Sequence, residues 1–312
     1  MRSIAVIGSL NMDIVNRVEK APLPGQTIKA LETSYVPGGK GANQAVAAAR
    51  AGARVEMFGA VGADTYGEIL LENLRSSRVG TESVLLKQDV GTGLAFITVD
   101  ELGENSIIIS PGANGKVETQ DVQVEERQLL EPDIIILQNE IPYSTVAYAL
   151  EYFGAKGKYI IYNPAPAFAP PENAFSRVGL LILNETEAAV LSGAETGTIE
   201  EVHSAAKILV DKGCREVIVT LGAKGLFYLN REGTTVYLPA FKVAVTDTTA
   251  AGDTFVGAYA TAMVEGKPVQ EALRFASAAS ALTVTRKGAQ TSIPERLEID
   301  AFLSQRQFVD DL

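Results

Sequence analysis

With 312 residues, 46% of them hydrophobic and 21% charged, the chain holds enough apolar material for one large core, while a formal net charge of -11 opposes a nucleic-acid backbone. Its one cysteine, Cys214, excludes an intramolecular disulfide framework and fits a reducing, cytoplasmic setting, and its one histidine, His203, lies in a polar-faced helical stretch and excludes His-rich metal sites. No run approaches the roughly 18 apolar residues of a membrane span, and the apolar start is too short for a signal peptide, so neither nucleic acid nor membrane is an expected partner.

In chain order, an opening strand ends in Gly8-Ser9-Leu10-Asn11-Met12-Asp13. Thr27 to Val36 interrupts the pattern, and an Ala-rich helix from Gly39 to Gly52 then leads into the strand Val55 to Val61, which makes a β-α-β unit. Between Glu82 and Ile109 come three strand candidates without a helix, Val84-Leu85-Leu86, Leu94 to Val99 and Ser106 to Ile109. Parallel neighbours need a crossover of about a dozen residues, so these predict a small antiparallel sheet, either a lid over a ligand crevice or an edge hairpin. The short β-branched runs at Ile134-Ile135-Ile136-Leu137, Tyr159 to Tyr162, Leu180 to Leu183 and Val217 to Thr220 read as buried parallel strands. Helices over Ala251 to Glu265 and Pro268 to Thr285 close the pattern. The expected fold is α/β, a doubly wound, mostly parallel sheet flanked by helices, forming a single domain over 1–312 with a small antiparallel β lid made by excursions at about 14–36 and 82–110.

Chemistry concentrates in two segments. Asp247-Thr248-Thr249-Ala250-Ala251-Gly252-Asp253 runs small residues into an apolar helix, and a helix start offers unpaired N–H groups and the positive dipole end to phosphate. Ala250, Ala251 and Gly252 suit an anion hole, with Asp253 placed to take a proton from an attacking hydroxyl; the competing reading makes Asp253 or Asp247 an N-cap. Gly38-Gly39-Lys40-Gly41-Ala42-Asn43-Gln44 admits close approach of a ligand or is an ordinary strand-to-helix turn, and it is not a Walker A loop because Gly41 follows Lys40. The opening strand lacks a Gly-x-Gly-x-x-Gly fingerprint, which weakens a nicotinamide-dependent reading.

These segments, with Gln138-Asn139-Glu140, Asn184-Glu185-Thr186-Glu187, Thr220-Leu221-Gly222-Ala223-Lys224-Gly225 and Arg286-Lys287-Gly288-Ala289-Gln290, closely resemble the ribokinase family of carbohydrate kinases over essentially the whole chain. The resemblance implies ATP-dependent phosphorylation of a pentose, D-ribose, at its 5-hydroxyl, with another sugar, a nucleoside or a non-catalytic sugar-binding regulator as the alternatives. It implies that Asn11, Met12, Asp13, Gly39, Lys40, Gly41, Ala42, Asn43 and Glu140 hold the sugar, with Asp253 as the base. Asn184, the loop Thr220, Leu221, Gly222, Ala223, Lys224 and Gly225, Gly252 and Ser277 would face the nucleotide, and Glu187 would order Mg2+ through water. It further implies an activating K+ at Asp247, Thr249, Thr283, Arg286, Gly288 and Ser292, partly through main-chain carbonyls, with an ion pair as the alternative role of Arg286. A homodimer through the lid is expected because an uncovered sheet edge is a template for association.

Overall fold

The β-branched runs form strands buried on both faces. In a computed structural model that describes residues 3–168, 170 and 172–310, the first eight strands are β1 (Ser3–Ile7), β2 (Asn11–Arg17), β3 (Glu32–Gly38), β4 (Arg54–Gly62), β5 (Val79–Gly80), β6 (Val84–Lys87), β7 (Gly93–Val99) and β8 (Asn105–Ser110). There follow β9 (Ile134–Leu137), β10 (Tyr159–Tyr162), β11 (Leu180–Asn184), β12 (Glu216–Thr220), β13 (Leu226–Asn230) and β14 (Thr235–Leu238). The helices are α1 (Lys40–Arg50), α2 (Thr65–Ser76), α3 (Thr119–Val124), α4 (Glu126–Leu129), α5 (Tyr143–Ala155), α6 (Glu185–Ser192), α7 (Ile199–Asp211), α8 (Ala251–Val264), α9 (Val269–Thr283) and α10 (Arg296–Asp310).

The main sheet runs β14-β13-β12-β11-β10-β9-β1-β4-β5, with β6 also on β4. Pairings from β12 through β5 are parallel, and β13 and β14 finish one edge antiparallel. Side chains alternate across it: Ile4, Val6 and Ile136 join an apolar cluster with α1, α8 and α9, while Ala5, Ile7 and Leu137 join one with α5, α6 and α7. Apolar residues at every strand position are stable only where helices cover both faces, which is why these runs lack the polar alternation of a half-exposed sheet. The doubly wound arrangement expected from the sequence is therefore the one that forms.

A second sheet, ordered β3-β2-β7-β8, stands beside the first. Its outer pairings are antiparallel and the central pairing of β2 with β7 is parallel. Two segments differ from the sequence reading. Val84–Leu86 does not join this sheet but pairs parallel with β4, Val84 opposite Gly59, because α2 supplies the crossover that parallel pairing needs. Asn11-Met12-Asp13 does not end the opening strand but starts β2. The chain changes sheets within 8–10, where the Gly8 N–H bonds Phe58 O at 3.0 Å and the Asn114 side chain holds the Leu10 N–H and C=O, each at 2.9 Å.

One helix contact positions the site. A Cβ on Gly257 of α8 would stand 2.5 Å from Gln44 O and 2.7 Å from Ala47 Cβ of α1, so only glycine permits this crossing. Thr261 Oγ1 locks it by donating to Ala48 O at 3.0 Å. One turn before Gly257, Asp253 is thereby brought against Asn43 and Gln44.

Candidate active site

β1 lies between β4 and β9, where the strand order reverses, and ligands of open α/β sheets bind at the carboxyl ends of strands beside such a point. A cavity of about 240 Å³ opens at these ends, lined among others by Lys40, Asn163, Asn184, Glu187, Thr220, Ala250, Ala251, Gly252 and Asp253.

The α8 start leaves main-chain donors facing the cavity. Ala250 takes a left-handed conformation at φ 59°, and no side chain caps the helix. The Ala251 N–H is spent on Thr248 O at 3.2 Å, which leaves the Gly252 and Asp253 amides as the first-turn donors without an acceptor among the described residues. Asp253 is 7% exposed, and it caps nothing: Asn43 Nδ2 donates to its Oδ2 at 3.0 Å and Gln44 Nε2 to its Oδ1 at 2.9 Å. Asp247 is no cap either. Its Oδ1 accepts from the Thr249 N–H at 2.9 Å and from Thr249 Oγ1 at 2.6 Å, and its Oδ2 accepts from the Gly288 N–H at 2.9 Å. Burial pushes Asp247 upward, but these bonds and the Lys287 charge outweigh it and hold the carboxyl below its usual range.

Across the cavity, the glycine-rich turn meets the β1–β2 junction. Gly39 has φ 89°, and a Cβ there would stand 2.8 Å from the Asn11 N, so this glycine is required for both conformation and space. Glu140 Oε2 accepts from Ser9 Oγ at 2.5 Å and from the Lys40 N–H at 3.0 Å. Asn11 Oδ1 accepts from Asn114 Nδ2 at 2.8 Å, and the Asp13 carboxyl stands beside Gly38, where a Cβ would meet it at 2.2 Å. Met12, Gly41 and Ala42 are buried and shape this wall.

The charges are strongly coupled. Burial, then the charges of Glu140 and Asp253, push Asp13 up to about 7. Asp253 raises Lys40, burial opposes it, and Glu140 and Glu187 add to the rise. Burial also raises Glu187, against the Asn184 N–H and Lys40. Because the folded state holds the Asp13 proton more tightly than the unfolded chain, stability falls as pH rises from about 4 to 7 and is level above. Asp13→Asn is expected to remove this penalty, stabilising the ligand-free protein above pH 7 by on the order of 2–4 kcal/mol and much less at pH 4. Thermal unfolding at both pH values checks it, and a constant gap between variant and wild type would reject it.

On the β11 side of the cavity, Asn184 and Glu187 cap α6 reciprocally, the Asn184 N–H donating to Glu187 Oε2 at 2.9 Å and the Glu187 N–H to Asn184 Oδ1 at 2.8 Å. Thr220 lines the cavity with them. Leu221 is buried, Gly222, Ala223 and Lys224 are exposed, and Gly225 and Ser277 are half-buried, all outside the cavity lining. At the expected cation position, the Thr283 and Ser292 hydroxyls are committed to Ala279 O at 3.0 Å and Ala289 O at 2.7 Å. The Arg286 guanidinium grips Glu298 at 2.5 Å, the alternative reading of that side chain, so mainly carbonyl oxygens are left there. Ser9, Gln44, Asn73, Asn114, Asn163 and Gln290 went unassigned in the sequence. Gln44 and Gln290 lay within the resemblance motifs, and Asn163 carried a signal of its own, a polar residue following a buried parallel strand.

Comparison with known proteins gives one answer. Residues 1–296 match the profile described as pfkB family carbohydrate kinase. The ribokinase of Schizosaccharomyces pombe is 41% identical over 309 residues, covering 96% of this chain and 97% of that protein. A ribokinase from Thermotoga maritima superposes with a TM-score of 0.90 at 41% identity, covering 97% of this chain and 100% of that one. An Arabidopsis thaliana ribokinase complexed with ribose and ATP superposes with a TM-score of 0.89 at 34% identity, over 97% of this chain and 99% of that one.

Proposed function

The chain belongs to the pfkB family of carbohydrate kinases, and on that premise we propose that it transfers the γ-phosphoryl group of ATP to the 5-hydroxyl of D-ribose, giving ribose 5-phosphate and ADP. The observation that carries this reading is the buried Asp253 carboxylate on the first turn of an uncapped helix, at a cavity it shares with Lys40, Asn184 and Thr220. Asn11, Asp13, Asn43, Glu140 and the Gly39 to Ala42 turn hold the sugar. Asp253 takes the proton of the 5-hydroxyl as its oxygen forms the new bond to phosphorus and the bond to ADP breaks. The amides at the α8 start and Lys40 offset charge on the phosphoryl group.

Asp253, Glu140 and Glu187 all bear on Lys40, so the cavity carries excess negative charge and a triphosphate needs cations to enter. Glu187 gives one oxygen to its cap and has the other for a water of Mg2+, which when bound neutralises the phosphates. Carbonyl oxygens around Asp247, Thr249, Thr283, Arg286, Gly288 and Ser292 would hold K+, which when bound braces the loop before Ala250. ADP release assayed with ribose, 2-deoxyribose, fructose and adenosine, in potassium and in sodium, tests the reading. Ribose in potassium is expected to be fastest, and no sugar-dependent release, or a preference for adenosine, would sink it.

Among the described residues β8 pairs only with β7, and it presents Ile107, Ile108 and Ile109 exposed, Ile108 at 71%. A free edge with an apolar row is a template for pairing, and it supports a two-fold homodimer through the small sheet. Light scattering at micromolar concentration is expected to give twice the chain mass for the wild type and the chain mass for Ile108→Asp. A monomeric wild type would end the idea. Among the described residues no helix is long and apolar enough to cross a membrane.

A further inference from the structure

Gln44, Gln138 and Gln290 lie in the motifs that carry the family resemblance, yet none holds a ligand in the reading above. In the structure they belong to two carboxamide chains that end on Asp253. In the first, Gln138 Nε2 donates to Gln44 Oε1 at 2.7 Å, and Gln44 Nε2 donates to Asp253 Oδ1 at 2.9 Å and to Asn163 Oδ1 at 3.0 Å. In the second, Asn73 Nδ2 donates to Gln290 Oε1, Gln290 Nε2 donates to Asn43 Oδ1 at 3.1 Å, and Asn43 Nδ2 donates to Asp253 Oδ2 at 3.0 Å.

Both chains have a direction. Each linking carboxamide accepts at its oxygen and donates from its nitrogen, so none can turn over without setting oxygen against oxygen. An ionised carboxylate only accepts, and it fixes which way the chains run. The direction has a visible cost, because Gln138 Oε1 is buried without a partner, and an unpaired buried acceptor loses its hydration uncompensated.

Resting on the kinase reading, we propose that the two chains orient the Asp253 carboxylate toward the sugar hydroxyl, with Gln44 and Gln290 as positioning residues. Lys40 of α1, Asp13 of β2 and Glu187 of α6 interact with Asp253, and Glu140 after β9 acts on Asp13 and Lys40. These charges stay the same when Gln44 is changed, so an altered pH profile reports the carboxamide.

The experiment is steady-state kinetics of the full chain across pH for wild type, Gln44→Met, the near-isosteric Gln44→Glu and Gln290→Met. Gln44→Met removes one donor to an ionised group, so kcat is expected to fall about 10-fold and its acid limb to rise by about one pH unit. KM for ribose and ATP is expected to stay within about twofold. Gln44→Glu sets a second, fully buried carboxyl beside Asp253 and is expected to raise the acid limb further and to lower the melting temperature more at pH 8 than at pH 5, an effect that packing alone would not produce. Gln290→Met removes the donor to Asn43 Oδ1 and loosens that side chain, and it is expected to lower kcat less, with some rise in the KM for ribose. Should Gln44→Met not fold, Gln44→Glu and Gln290→Met carry the decision. Folded variants with the wild-type kcat and acid limb would overturn the positioning role while leaving the kinase reading standing. A wild type without ribose-dependent ADP release would overturn both.

Discussion

Asp253→Asn is expected to lower kcat by about 10²- to 10⁴-fold, the range of a positioned general base, with little change in fold. Asparagine has the same shape, and its oxygen can keep one of the two carboxamide donors, from Asn43 or Gln44. Its amide nitrogen then opposes the other donor, so a local cost of about 1–3 kcal/mol accompanies the loss of the base. Stopped assays with saturating ribose and ATP, together with a melting curve, separate the two effects. Near-wild-type turnover in a folded Asp253→Asn protein would remove the base assignment and the mechanism built on it.

Gly252 gives the second large effect, with activity and stability moving in opposite directions. A Cβ at this position would meet nothing within 4 Å, and its φ is not in the left-handed range, so the fold itself does not require glycine. The residue lines the cavity on the first turn of α8, where the proposed phosphate must come closest to the main chain. Gly252→Ala is expected to stabilise the ligand-free protein by up to about 1 kcal/mol, since glycine is a poor helix residue. Gly252→Val is expected to lower kcat/KM for ATP by about 10²- to 10³-fold, comparable to losing an anion-hole donor, with KM for ribose little changed. Wild-type ATP kinetics in Gly252→Val would place the phosphates elsewhere.

The sequence made the parallel strands legible because burial on both faces forces unbroken apolar runs such as Ile134–Leu137. It misplaced Val84–Leu86 because a short, half-buried triplet carries no record of its partner, and β4 captured it. Asn11 and Asp13 were legible as polar residues after a strand, but the change of sheet between them and β1 was not, since it depends on Asn114 far along the chain. The same non-locality hid the carboxamide chains. Gln44 and Asp253 are 209 positions apart and Gln290 and Asn43 are 247 apart, and no spacing rule reaches that distance. In the 220–225 loop, Thr220 lies on the cavity and Lys224 does not, because Lys224 turns outward to pair with Glu185 at 3.3 Å.

The link at 8–10, fastened at Phe58 and Asn114, has a mechanical corollary. It is a fulcrum: any rocking of the small sheet displaces residues near it least and residues far from it most. Asn11, Gly38 and Gly93 lie level with that fulcrum at one end of the small sheet, and Arg17, Val99 and Asn105 lie at the other. A second copy of the chain holding the Val99 and Asn105 ends of β7 and β8 would therefore damp such rocking with the greatest leverage while leaving Asn11 almost unmoved.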